Sequence, residues 1–199
     1  MNTAQKLLHF IKPWLLIIIV IGALQITGQL SKVVSFGQSA ILKTGVLNAT
    51  PEPQEDVQEM FDYHFDATTV DGLPFDTESL KNKVVFLNLW ATWCGPCRAE
   101  MPTIQNLYNE IKPDDIVFVM LSIDRKDPVN KVKEYVVKNN YTFPVYILKG
   151  APPTQLRVPS IPTTFIIDKK GNIIRKEVGM RRYDAEKFKK FLLKEAGKK

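Results

Sequence analysis

The chain contains only two cysteines, three positions apart in Trp93-Cys94-Gly95-Pro96-Cys97. A pair that close cannot brace distant parts of a fold, so its value is chemical. Where a strand hands over to a helix, as the flanking residues indicate, Cys94 stands at the positive end of the helix dipole with backbone amides pointing at it, which stabilises a thiolate. Cys97 lies one turn further in, within reach of the first sulfur and better shielded. That asymmetry suits disulfide exchange, in which Cys94 attacks a substrate disulfide and Cys97 resolves the mixed disulfide. Zinc is a poor alternative, because a tetrahedral site wants four ligands and the chain adds only His9 and His64. No metal is expected, and no cofactor beyond a Cys94–Cys97 disulfide.

The elements that must position this pair are written in the hydrophobic pattern. Val84-Val85-Phe86-Leu87-Asn88-Leu89-Trp90 is apolar on both alternating faces, as in a strand covered on both sides in a parallel sheet. Residues 99–111 read as a helix, and Ile116-Val117-Phe118-Val119-Met120-Leu121 as a second buried strand. Pro128 opens another helix, with Val129, Val132, Val136 and Val137 at core-facing spacing. Residues 164–168 and 173–178 flank a hairpin loop that contains Gly171. A last helix starts at Asp184, an N-cap type residue, and carries Phe188, Phe191 and Leu192 on one side. Strand and helix alternating in this way predict an α/β sheet. Ahead of it, Phe61, Tyr63, Phe65 and Ala67 alternate with Asp62, His64 and Asp66, and Asp71-Gly72 supplies a turn, which predicts a short strand or β-hairpin at the start of the domain.

Composition bounds the rest. With 199 residues, 45% of them hydrophobic and 24% charged, the chain fits one globular domain plus an appendage and excludes a disordered or fibrous protein. The net charge of +6 is uneven, with twelve Lys or Arg against four acids in residues 169–199 and seven acids in residues 51–71. This is no nucleic-acid footprint, and no nucleic-acid partner is expected. Lys187, Lys189, Lys190 and Lys194 read as the solvated face of a helix. Near the N-terminus, residues 14–24 carry no polar side chain, and the run reaches 17 residues at Leu30, the lower limit of about 17–25 for a membrane-spanning helix. Lys6 and Lys12 precede it and predict a cytoplasmic N-terminus with an exported remainder. A cleaved signal peptide shares the basic start and apolar middle, but no convincing small-x-small site comes directly after Leu24. The expected organisation is a membrane anchor at 1–34, a tether at 35–58 punctuated by Gly37, Gly45, Pro51 and Pro53, and a domain at 59–199.

Phe86-Leu87-Asn88-Leu89-Trp90-Ala91-Thr92-Trp93-Cys94-Gly95-Pro96-Cys97-Arg98-Ala99-Glu100-Met101-Pro102 resembles the active-site segment of thioredoxin-like proteins of the TlpA/ResA/CcmG group. Val158-Pro159-Ser160-Ile161-Pro162-Thr163-Thr164-Phe165-Ile166-Ile167-Asp168 matches too, so the resemblance covers roughly residue 61 to the C-terminus. It implies a thioredoxin fold, a central mixed β-sheet flanked by helices, here extended by the N-terminal hairpin and one N-terminal transmembrane helix. It makes Pro162 similar to the family's cis-proline, which leaves the Ile161 backbone free to pair with an extended substrate chain. From sequence alone Pro162 is equally a trans turn residue. Pro102 resembles the proline that bends the active-site helix, or simply breaks it. Asn88 stands where ordinary thioredoxin has a buried, proton-moving aspartate, and asparagine cannot titrate. Glu100 resembles the glutamate this group carries one turn beyond the second cysteine, placed to assist proton transfer. Its plainer reading is a first-turn glutamate favoured by the helix dipole.

The expectation is therefore a membrane-anchored, extracytoplasmic thiol-disulfide oxidoreductase. Cys94, Cys97 and Glu100 would be catalytic, and Trp93, Gly95, Pro96, Ile161 and Pro162 would bind substrate. Because Gly95-Pro96 resembles thioredoxin and not the Pro-His pair of the strong periplasmic oxidant, a reductase is expected, with apocytochrome c in cytochrome c maturation as leading substrate. Its expected electron donor is a membrane protein, and its place the bacterial inner membrane with the domain on the periplasmic side. A disulfide oxidase or isomerase shares the fold. A peroxiredoxin does too, but lacks its Pro-x-x-x-Thr-x-x-Cys setting here. A non-enzymatic peptide-binding module would leave the cysteine pair and its matching proline unexplained.

Overall fold

The computed structural model describes residues 3–27, 29–51, 59–111 and 116–197. In chain order it contains helices α1 (Thr3–Ile26) and α2 (Leu30–Lys43), short strands β1 (Glu59–Met60) and β2 (Ala67–Thr69), strand β3 (Val84–Trp90), helix α3 (Gly95–Glu110), strand β4 (Ile116–Ser122), helix α4 (Pro128–Lys138), strands β5 (Val145–Leu148), β6 (Thr163–Ile167) and β7 (Asn172–Val178), and helix α5 (Glu186–Glu195). The strands form one sheet in the order β1-β7-β6-β3-β4-β5-β2. Within it β3, β4 and β5 are parallel, and β6 runs antiparallel to both β3 and β7. This mixed sheet with flanking helices is the thioredoxin fold.

The seven residues of β3 are all buried, because the strand lies in mid-sheet and its two faces feed two separate cores. Val84, Phe86 and Trp90 pack with Phe118 and Met120 of β4, under Ile104 and Leu107 of α3, Val132 of α4 and Phe188 of α5. Val85, Leu87 and Leu89 pack with Val119, Leu121, Phe165 and Ile167, under Phe61, Tyr63 and Phe65. A nearly continuous apolar run, interrupted here only by Asn88, is what such a doubly covered strand requires. On α4, Val132 is buried and Val129 and Val136 pack at the core edge, but Val137 is 67% exposed, off the apolar stripe.

The opening of the domain differs from the expected hairpin. Phe61, Tyr63, Phe65 and Ala67 point inward and Asp62, His64 and Asp66 outward, yet β1 pairs with β7 and β2 with β5, at opposite edges of the sheet. The Asp71-Gly72 turn does reverse the chain, with Gly72 at φ +82°, but the return makes only an isolated bridge between Thr68 and Pro74. Pro74 has no N–H to donate, which limits further pairing. The β6–β7 connection is the hairpin expected. Gly171 adopts φ +89° there, a conformation that strains any residue with a Cβ, so the turn favours glycine.

One N-terminal expectation changes and another is not shown. Residues 30–43, assigned by their weak period to the end of the anchor and the tether, form α2, which packs on α3 and buries Leu42 to 2% exposure. Residues 52–58 of the expected tether lie outside the described residues. The expected transmembrane helix falls on α1, which exposes Trp14, Leu15, Ile18 and Ile19. Among the described residues no helix is long and apolar enough to cross a membrane. At the other end, α5 is capped by Ala185. Asp184 instead accepts hydrogen bonds from Arg182 Nε at 2.6 Å and Asn106 Nδ2 at 2.9 Å, tying the α5 entry to α3.

Because Leu42 is the side chain that seats α2, Leu42→Ala should lower the unfolding free energy of the full chain by about 2–5 kcal/mol, the usual cost of emptying a packed leucine site. Urea unfolding measures this; a loss under about 0.5 kcal/mol would mean that α2 contributes nothing to the domain.

Candidate active site

Strand β3 ends at Trp90, and the chain reaches the first turn of α3 through Ala91-Thr92-Trp93-Cys94. Asp124, just past the end of β4, holds this loop: its carboxylate accepts from the Thr92 N–H at 2.8 Å, the Thr92 hydroxyl at 2.7 Å and the Ser122 hydroxyl at 2.8 Å. Hydrogen bonds to a charged acceptor are worth about 1.5–3 kcal/mol each, so the position of Cys94 is set by side chains of a neighbouring strand as well as by its own. Cys94 is the N-cap of α3, and its Sγ accepts from the Cys97 N–H at 3.2 Å. Pro96 occupies the first turn, where its missing N–H costs nothing.

Cys94 and Cys97 form a disulfide, S–S 2.05 Å. Cys94 retains 5% exposure and Cys97 none, so only Cys94 offers a face to a partner. Its Sγ is 3.7 Å from the Ile161 carbonyl oxygen, and the Ile161–Pro162 peptide is cis. Trp93, 69% exposed, stands beside the disulfide on the solvent side, whereas Trp90 is wholly in the core, against Tyr135. Gly95 faces α2, a Cβ there standing 3.7 Å from Gln38 Oε1. Pro102 lies inside α3, which runs on to Glu110, so it does not break the helix.

Glu100 is fully buried and sits in the second turn of α3, not the first. Its Oε1 accepts from Asn88 Nδ2 at 2.8 Å and its Oε2 from the Arg181 N–H at 3.0 Å. Burial pushes its carboxyl up to about 8, against the opposing pull of those two hydrogen bonds and of the Arg181 charge. The same Asn88 amide donates to Thr164 Oγ1 at 2.8 Å, which also accepts from the Tyr183 hydroxyl at 2.7 Å. Burial, with Glu100 beside it, drives the Tyr183 phenol well above its ordinary range. A connected polar chain thus runs Glu100–Asn88–Thr164–Tyr183 beneath the disulfide helix.

All eight residues singled out from sequence are placed around this junction or, for Glu100, below it. Sequence reasoning missed Asp124, Thr164, Tyr183 and the Arg181 backbone. Thr164 lay inside the matched Ile161-Pro162-Thr163-Thr164 segment, and its register opposite Asn88 was the available signal. Tyr183, between Arg182 and Asp184, had none.

A thioredoxin sheet with a Cys-x-x-Cys disulfide at the head of α3, set against a cis proline, defines the thioredoxin-like class of proteins. The redoxin family profile matches residues 53–191. The chain belongs to that family. The thiol-disulfide oxidoreductase ResA of Bacillus cereus is 37% identical over 120 residues, covering 58% of this chain and 66% of ResA. The thioredoxin-like protein YneN of Bacillus subtilis is 36% identical over 116 residues, covering 58% and 68% of the two chains. A putative thiol:disulfide interchange protein DsbE from Chlorobium tepidum, solved as a crystal structure, superposes with a TM-score of 0.58 at 25% identity, covering 73% of this chain and 98% of that one.

A carboxyl held up at about 8 in the native state and near 4.5 when unfolded keeps its proton only in the native state between those values. Native protein then binds more protons, so stability falls as pH rises through that window, by at most about 1.4 kcal/mol per pH unit for one group. Glu100→Gln should remove this slope. Urea unfolding of both proteins across the window measures it, and parallel pH profiles would show that Glu100 does not titrate in this way.

Proposed function

We propose that this protein is an extracytoplasmic thiol-disulfide oxidoreductase that reduces disulfides in protein substrates. The observation that carries the reading is the Cys94–Cys97 disulfide at the start of α3, with Cys94 as the only sulfur a partner can reach. In the reduced protein the Cys94 thiolate, favoured by the helix N-terminus, attacks one sulfur of the substrate disulfide and expels the other as a thiolate. The Cys97 sulfur, after losing its proton, attacks Cys94 in the mixed disulfide and releases the second substrate thiol. Two electrons pass from the protein dithiol to the substrate, and the Cys94–Cys97 disulfide remains. Glu100, neutral below about 8, is the group suited to exchange a proton with Cys97 as the disulfide opens and closes. The Ile161 backbone, beside Cys94, is suited to pair with the substrate main chain, and Trp93, Gly95 and Pro96 to border it.

The direction rests on Gly95-Pro96, the dipeptide thioredoxin carries. The names of ResA and the interchange protein support the same chemistry. Apocytochrome c before haem attachment is the leading substrate, and a membrane protein the electron donor. We place the chain at the bacterial inner membrane, held by α1 with the domain on the periplasmic side. Exposed Trp14, Ile17, Ile18, Ile19 and Val20 on α1 support this, as do Lys6 and Lys12 ahead of them.

Cys97→Ser should accumulate mixed disulfides through Cys94 in membranes, and identifying the captured chains names the substrate; full turnover by this variant would reject the assigned order. The Cys94/Cys97 couple should fall nearer thioredoxin's roughly −270 mV than the strong oxidant's roughly −120 mV. Equilibration with glutathione buffers measures it, and a value at the upper end reverses the proposed direction.

A further inference from the structure

Two clefts open beside the disulfide, one on either side of the Ile123-Asp124-Arg125 ridge that follows β4. The first, of about 400 Å³, is apolar at its base, where Leu89, Ile123, Leu148, Leu156, Val158 and Ile161 meet. The second, of about 320 Å³, is walled by Trp93. Both share Ile123, Asp124 and Arg125, so the ridge and the Ile161 loop lead from either cleft to Cys94.

Their charge is one-sided. Arg125 and Arg157 line the first cleft, and Arg125, Lys126 and Lys131 the second. Asp124 is the one acid that lines either, and it is buried and spent on Thr92 and Ser122. Exposed Asp127 next to the ridge is bonded by Asn130 Nδ2 at 3.0 Å. Among the described residues Arg125, Lys126, Lys131 and Arg157 make no ion pair. Lys133, two residues beyond Lys131, is by contrast paired with Asp71 at 2.8 Å. Several cations elsewhere on the domain are neutralised, Arg181 by Glu177, Arg182 by Asp184 and Lys189 by Glu110, whereas Lys187 and Lys194 on α5 stand apart from the disulfide and make no ion pair among the described residues. Four cations without an ion pair thus line the two clefts, with Asp127 the one solvent-facing acid in residues 123–131.

We infer that the Ile123-Asp124-Arg125 ridge and its two clefts are a docking surface for an acidic segment of the substrate polypeptide, adjoining the disulfide that Cys94 attacks. This rests on the dithiol reading above and adds a substrate class to it. An apolar side chain of the segment fills the Leu89–Ile161 cleft, and carboxylates on either side of it meet Arg125 and Arg157 on one flank and Lys126 and Lys131 on the other. Opposed potentials of this kind act chiefly on the encounter rate, by about ten to a thousandfold, and fade with salt.

The test uses the reduced full chain and three peptides of equal length, each with one internal disulfide, flanked by glutamates, glutamines or lysines. Reoxidation is followed by acid quenching and thiol labelling. At an ionic strength of about 0.01 M the glutamate peptide should react at least about tenfold faster than the lysine peptide, and the ratio should fall towards one near 1 M salt, where charges are screened within about 3 Å. The variant R125Q/K126Q/K131Q should lose most of that ratio. A matched variant, K187Q/K190Q/K194Q, removes the same charge from α5 and should keep it. Equal rates for the three peptides at low salt, or equal losses in the two variants, overturn the docking surface and leave the redox reading standing. Failure to reduce even the glutamine peptide overturns the redox reading, and the docking surface with it.

Discussion

The site depends on a single junction, the point where β3 gives way to α3 and the Cys97 N–H meets the Cys94 sulfur. A buried central strand cannot shift along its neighbours without exposing apolar surface on two cores at once. The parallel register with β4 and the antiparallel register with β6 therefore fix where β3 stops. Asp124, carried by β4, clamps the intervening loop at Thr92, and Pro96 pre-sets the first turn of the helix. The sulfur is thus positioned by packing that lies entirely outside the cysteine motif.

The same register supplies the second layer. Asn88 of β3 lies opposite Thr164 of β6, so the strand pairing that holds the cis Pro162 loop beside Cys94 also joins Asn88 to Thr164, and through it to Tyr183. The loop that would face a substrate and the polar chain beneath the disulfide helix are two products of one strand pair. Glu100 enters this chain from α3, one turn past Cys97, and its fully buried carboxyl is tolerable because both oxygens find donors.

Much of this was legible in the sequence, because the residues concerned report their own environment. The apolar run of β3 announced a doubly covered strand, and the alternation of Phe61, Tyr63 and Phe65 announced an inward face. The cysteine spacing with Pro162 far downstream marked the site. What escaped depends on partners distant in sequence. Strands β1 and β2 are too short to show a pattern, and which sheet edge they join is decided by β7 and β5. Helix α2 buries Leu42, but its segment is punctuated by Gly37 and Ser39 and reads as a tether. Tyr183 carried no signal of its own: it stands between Arg182 and Asp184, which pair with each other, while its ring turns inward against Phe86 and Phe188.

Asn88 gives the polar chain a property that an aspartate would not. Its Nδ2 donates to both Glu100 and Thr164, while its Oδ1 is buried without a hydrogen-bond partner among the described residues. Below about 8 the Glu100 carboxyl holds a proton and becomes a donor in search of an acceptor. An amide keeps almost the same shape when its nitrogen and oxygen exchange places. Turned about its last torsion, Asn88 would offer Oδ1 to a protonated Glu100, giving up the Nδ2 bond to Thr164 and placing Nδ2 where Oδ1 now finds no partner. A carboxylate at position 88 would not do so neutrally: two acids in contact in a dry interior compete for charge, and one is forced to keep its proton. With asparagine in that place the buried site carries one exchangeable carboxyl proton instead of two coupled ones, and it belongs to the acid nearest in the helix to Cys97.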